Sequence, residues 1–203
     1  MAIRNQDIVK VWDGDSLDEL SVDFLRTPTI PVNFPISKEV QKIITDLVDT
    51  FRSVPCAGIA SNQLGYNKKI FIGMKHDKEI KDESTDIDDV VPDPDNYELY
   101  INPQIDRADS KSTQVGPEGC LSIPNITLEI ERYDKIKVRY YDIKGRKVKK
   151  PLSGFLSRLY QHELDHLNGS LMFENPISNI FISEYSDKKY VDQLQTLIGY
   201  LKK

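Results

Sequence analysis

Two amphipathic helices near the ends of the chain, short strands between them without regular alternation, and a third helix bearing paired histidines predict an α+β protein. The expected architecture is small antiparallel sheets packed around the histidine-bearing helix. An N-terminal helix and a C-terminal helix complete a single domain over residues 1–203.

The elements follow in order. Val40, Ile43, Ile44, Leu47, Val48 and Phe51 fall on one face of a helix, and their default meaning is core packing. Lys69-Ile-Phe-Ile-Gly-Met74 and Leu99-Tyr-Ile-Asn102 read as short strands, and Gly116–Pro124, rich in glycine and proline, as a tight backbone-exposed segment. Ile136–Tyr141 and Arg146–Lys149 form a hairpin with Gly145 at its turn. Phe155–Asn168 is helical, with Ser153 as N-cap and Gly169 as terminator. Tyr190, Val191, Leu194, Leu197, Ile198 and Leu201 repeat the helical stripe.

Composition narrows the class of protein. With 39% hydrophobic and 29% charged residues, the chain is neither collagen-like nor broadly disordered. No apolar run approaches the roughly 20 residues of a membrane span, and the first residues lack the apolar block of a secretory signal. Two cysteines, Cys56 and Cys120, exclude a disulfide framework, so each thiol is considered for chemistry of its own. The net charge of −5 is uneven. Between Asp77 and Glu98, ten acidic residues face only Lys78 and Lys81, which makes residues 76–98 an acidic surface insert of −8 and leaves +3 elsewhere. Asp86-Ile-Asp-Asp89 within it lacks the glycine and closing glutamate of a calcium loop. A body of +3 gives no argument for nucleic-acid binding.

The chain has three histidines, and two fall in His162-Glu163-Leu164-Asp165-His166. On a helix, i and i+4 imidazoles share a face and can bind one ion, while Glu163 can reach water at that ion without ligating it. The bland reading is an exposed helix face held by salt bridges. A catalytic site needs a third ligand and an open position. The metzincin position is Met172, which leaves His76, Glu184 or Cys120, the last being a soft thiolate donor.

Glu118-Gly-Cys-Leu-Ser122, followed about forty residues later by Gln161-His-Glu-Leu-Asp-His-Leu-Asn-Gly169, resembles the peptide deformylase family. Two of its three signature segments stand complete. The likeness extends through Gly58-Ile-Ala-Ser-Asn-Gln63, Asn102-Pro103, Glu131–Val138 and Gly169–Phe173, in the family's order. The first signature departs from the pattern. Cys56 stands for a glycine, Ala57 for a larger apolar residue, and Asn62 for proline or threonine. The acidic insert is also unusual for the family.

The resemblance implies that Cys120, His162 and His166 bind one divalent ion, Fe2+ natively, with Zn2+, Ni2+ or Co2+ as alternatives. Glu163 would take the proton of water held in the open position, and the hydroxide would attack the formyl carbon of an N-formylmethionyl peptide. The ion, the Gln63 amide and the Leu121 N–H would stabilise the oxyanion. Glu163 would then protonate the leaving amine, releasing formate. Gly58, Ile59 and Glu118 would flank the substrate strand, with Phe155 and Leu159 near the methionine side chain. Arg132 and Arg158 contact either the ligands or a substrate carboxylate, or else form a strand-end salt bridge and a solvated helix face; Asp165 orients a histidine or pairs with an arginine. The implied partners are nascent formylated chains and a ribosomal surface, without membrane or direct nucleic-acid contact, in bacterial cytoplasm or an organelle interior. Two other functions remain open: a deformylase-like binding protein whose pocket Cys56 and Ala57 have closed, and a thermolysin-like protease with Glu184 as ligand.

Overall fold

Side-chain caps start the two helices nearest the N-terminus. The computed structural model describes residues 7–13, 16–77, 95–174, 181–182 and 190–201. After the short strands β1 (Trp12–Asp13) and β2 (Ser16–Leu17), Asp18 accepts from the Ser21 N–H at 3.1 Å and opens α1 (Glu19–Leu25). This helix has only seven residues, too few for a periodicity to show in sequence. Ser37 caps α2 (Lys38–Ser53) by accepting from Val40 N–H at 3.2 Å, and α2 buries Val40, Ile43, Ile44, Leu47 and Phe51 as its pattern predicts.

β3 (Gly58–Ala60) runs into a 3-10 turn at Ser61–Leu64 and then β4 (Ile70–Met74). β5 (Tyr97–Ala108) is longer than expected, because the chain crosses Asn102-Pro103 as an irregularity in the ladder rather than ending there. Asn102 takes φ 51° and closes its amide on Val32, accepting from the N–H at 2.8 Å and donating to the carbonyl at 2.9 Å.

The largest departure from expectation is at Gly116–Pro124. Apart from Leu121 and Ser122, this segment belongs to two long antiparallel strands, β6 (Thr113–Cys120) and β7 (Ile123–Tyr133). Among the described residues β6 pairs on one side only, so Pro117, which has no N–H, is tolerated. β7 turns Ile126, Leu128 and Ile130 inward on alternate positions. β8 (Lys135–Tyr141) and β9 (Lys147–Ser153) form the expected hairpin. α3 (Gly154–Leu167), β10 (Phe181–Ile182) and α4 (Val191–Leu201) complete the order.

The sheets are antiparallel, in orders β3-β4-β5-β8-β9, β10-β7-β6 and β1-β2. α3 lies against strands of both larger sheets and is buried on most of its circumference. Tyr160 packs edge-on to Phe71 and Tyr100, with centroids at 5.2 and 5.4 Å, and its hydroxyl donates to the Gln104 and Arg139 carbonyls. Ile43, Leu47 and Phe51 of α2 meet Ile59, Ile70 and Ile72; Leu194 and Leu197 of α4 meet the inward face of β7. The acidic insert and Glu184 fall mostly or wholly outside the described residues.

The ends of α3 need particular backbone. Ser153 occupies the N-cap position without a side-chain cap bond; the Gly154 N–H instead donates to Asp134, at 3.1 Å to the carbonyl and 3.2 Å to Oδ1. Gly169 closes the helix at φ 74°, where a Cβ would lie 2.3 Å from the Arg26 carbonyl oxygen. Both strain and collision oppose any side chain there. Gly169→Ala is expected to lose at least about 1–3 kcal/mol, read as a lowered urea midpoint.

Candidate metal centre

Cys120 ends β6, and His162 and His166 lie one turn apart on α3. Their donor atoms all fall within 4.8 Å of one another, with Cys120 Sγ 3.2 Å from His166 Nε2. Among the described residues this is the one group of His, Cys, Asp or Glu side chains arranged to hold a metal ion. His76 is exposed and stands outside it.

The electrostatics suit a cation. Burial opposes the Cys120 thiolate, but His166 and then His162 reverse that and bring the thiol down to about 5. Burial likewise disfavours charge on His162, yet Cys120 and Glu118 hold its proton well above the usual range. A thiolate facing the held proton of His162 is a site where a divalent ion can take that proton's place. One thiolate with two imidazoles suits iron or zinc, and three protein donors leave a position open. The residues therefore fit the ion.

A buried ion cluster positions the ligands. Arg132 grips Glu118 with both Nε and a terminal nitrogen at 2.9 Å, and also contacts Asp165. Arg158 donates to Glu118 Oε1 at 2.7 Å and to the Gly116, Ile130 and Gln114 carbonyls. Glu118 Oε2 meets His162 Nδ1 at 2.9 Å, which leaves the other ring nitrogen for the site. Burial alone would raise the Glu118 carboxyl; the Arg132 fork, then His162, more than reverse it and hold the group well below the ordinary range. Both arginines are thus buried structural partners, neither a solvated helix face nor an exposed strand end.

Glu163 is 2% exposed, and burial lifts its carboxyl to about 7 against the opposing pull of His162 and His166. Its Oε2 has no hydrogen-bond partner among the described residues. Gly58 leaves it room: a Cβ there would sit 2.7 Å from Glu163 Oε1 and 2.8 Å from Leu159 Cδ1. Gln63 accepts from the Ala60 N–H at 2.9 Å and turns Nε2 toward Ser122 Oγ at 3.2 Å and Cys120 Sγ at 3.6 Å.

These groups border a cleft of about 680 Å³. Gly58, Gln63, Glu118, Cys120, Leu121, Phe155, Leu159, His162 and Glu163 line it. Ile59 points into the core at 0% exposure, so only its backbone is available to a ligand, and His166 lies beneath the lining. Ile8, Lys10, Asn125 and Thr127 also border the cleft and were not singled out from sequence. The alternation of Val9-Lys-Val11 was the available signal, since the Val9 and Val11 N–H groups bond the Gln63 and Ser122 carbonyls.

Removing one partner of a buried ion cluster strands the others. Arg132→Leu is expected to cost about 3–5 kcal/mol at neutral pH, measured by urea unfolding. A carboxyl lowered in the folded state stabilises above its ordinary value near 4.5 and loses that contribution as pH falls through the folded value. The wild type should therefore weaken below about pH 4.5, and Arg132→Leu should flatten that dependence.

The polypeptide deformylase family model matches residues 16–180. Peptide deformylase 2 of Rickettsia conorii is 34% identical over 157 residues, 74% of this chain and 73% of that protein. Peptide deformylase of Thermotoga petrophila is 33% identical over 168 residues, 80% of this chain and 88% of that protein. The Plasmodium falciparum peptide deformylase structure superposes with a TM-score of 0.67 at 28% identity, covering 96% of each chain. With the family match spanning the site just described, the chain belongs to the peptide deformylase family and is a metal-dependent hydrolase that removes the formyl group from N-formylmethionyl nascent chains.

Proposed function

We propose that Cys120, His162 and His166 hold one divalent ion, natively ferrous iron with zinc, nickel or cobalt as substitutes, and that Glu163, Gln63 and Leu121 act around it within one metallohydrolase domain. The observation that carries this reading is the convergence of the three donors within 4.8 Å, with Cys120 and His162 lining the cleft. When bound, such an ion acidifies water and draws electrons from the formyl carbonyl.

Glu163, poised near neutrality, takes the proton of the attacking water as the new C–O bond forms. It gives that proton to the amine nitrogen as the C–N bond breaks, so the products are formate and a free methionyl amine. Gln63 Nε2 and the Leu121 N–H donate to the oxygen on which negative charge develops. The cleft lies between two strand edges that are unpaired among the described residues, Gly58 on β3 and Pro117–Cys120 on β6. An extended peptide fits there as an added strand, with Phe155 and Leu159 offering apolar surface to methionine. Glu118 serves this strand through its backbone, since its carboxylate is engaged by the arginines.

A ribosomal surface, as further partner, would meet the β8–β9 hairpin. Lys135, Lys137, Arg139, Lys144, Arg146, Lys147, Lys149 and Lys150 stand there, opposed by Asp142 within residues 135–150 and by Asp106 and Glu98 of β5, which pair with Arg139, Lys149 and Lys150. No helix among the described residues is long and apolar enough to cross a membrane.

The deciding experiment measures formate released anaerobically from formyl-Met-Ala-Ser by iron-loaded protein, with metal content determined in parallel. Turnover is expected to vanish on chelation and return with Fe2+; background rates with a full complement of metal would refute the reading. Glu163→Ala should keep the metal and lose about 10²–10⁴-fold in kcat. Cys120→Ala should lose the metal itself. Gly58→Ala, which displaces Glu163 and Leu159, should lower kcat/KM by about 10²-fold.

A further inference from the structure

Asn62 stands where the family signature usually carries proline or threonine, and its side-chain amide makes a contact toward a metal ligand. Its side chain is 1% exposed, and Nδ2 donates to the main-chain carbonyl of His166 at 2.7 Å. That bond joins the 3-10 turn carrying Gln63 to the last turn of α3, 104 residues later. Two buried polar atoms on this same residue pair, Asn62 Oδ1 and His166 Nδ1, have no protein partner among the described residues. His166 turns its other nitrogen, Nε2, to Cys120. An imidazole that ligates through Nε2 carries its proton on Nδ1, and metal-bound histidines almost always give that proton to an acceptor. An unpaired buried donor and an unpaired buried acceptor each carry a desolvation cost, which one water between them removes.

We propose that Asn62 is a positioning residue for His166. Nδ2 holds the helix at the His166 carbonyl, and Oδ1 takes the Nδ1–H of the ring through one buried water, which fixes Nε2 toward Cys120. Proline offers no donor. The shorter threonine hydroxyl cannot supply a separate donor and acceptor on one rigid plane. The proposal rests on His166 being a ligand, as read above.

The test uses full-length zinc-loaded protein with 15N-labelled histidine. The spectra read the His166 tautomer and the protection of its Nδ1–H, while a chelating dye times zinc release. The wild type is expected to show a protected Nδ1–H and slow release. Asn62→Thr, which installs a residue usual in the family, and Asn62→Ala should lose that protection and release zinc about 10–100-fold faster. Asn62→Asp keeps the acceptor and gives up the donor, so it should retain the protected Nδ1–H. A purely structural role would lower the melting temperature without moving the ring signals. Unchanged ring signals and release in Asn62→Thr overturn the proposal, as does loss of the Nδ1–H signal in Asn62→Asp. Zinc retention by Cys120→Ala equal to wild type would instead overturn the ligand assignment beneath it.

Discussion

Glu118 is a carboxylate at 6% exposure, and a charge so placed survives only if its partners replace water. Arg132 on β7 and Arg158 and His162 on α3 are those partners. Glu118 lies two residues before Cys120 on β6, so satisfying it also sets how far Cys120 stands from His162. The geometry of the candidate metal site therefore follows from electrostatics one layer outside it. Register depends on the same cluster. β6 and β7 pair Glu118 with Leu128, and a one-residue slip would turn Glu118 to the opposite face and leave Arg132 with Asp165 as its one carboxylate partner. Buried ion pairs contribute little net stability against apolar replacements, but half of one is costly, which makes the cluster a specifier of arrangement more than a source of stability.

Glu163, the proposed general base, has the opposite environment. Among the described residues no arginine donates to it, and burial keeps its carboxyl near neutrality where Glu118 is held ionised. Two glutamates bordering one cleft thus take different protonation behaviour from different neighbours, one as a fixed anion and one as a proton carrier. The absence of a side chain at Gly58 is part of this arrangement. It lets the strand edge approach Glu163 closely, so that a peptide laid on β3 as proposed would pass beside the carboxylate.

What could be read from the chain followed the range of the physics. α2, α3, α4 and the β8–β9 hairpin depend on local periodicity and turn residues, and the observed bounds lie close to those expected except that β9 runs four residues past Lys149 to Ser153. Cys120, His162 and His166 were readable because donor type and spacing are themselves the chemistry. β6 was hidden because Gly116, Pro117 and Gly119 signal loop locally, whereas an edge strand beside β7 accepts them. The burial of Arg132 and Arg158 was equally hidden, since arginine in isolation indicates surface and only the carboxylate brought by another strand makes burial possible. The Asn62 contact with His166 spans 104 residues, and no local pattern encodes it.

The two cysteines, indistinguishable by composition, are separated by their neighbours. Both border the same cleft. Cys56 is half-buried with the Glu163 carboxylate nearby, and burial followed by that negative charge pushes its thiol up to about 12. Cys120 is more deeply buried, yet the imidazoles beside it bring its thiol down to about 5. At neutral pH the first is a protonated, weakly polar part of the wall and the second is a thiolate, the form that ligates metal. Depth of burial alone would order them the other way. The nearest charges decide the outcome, and geometry agrees with them: Cys56 stands outside the group of donors that converge within 4.8 Å.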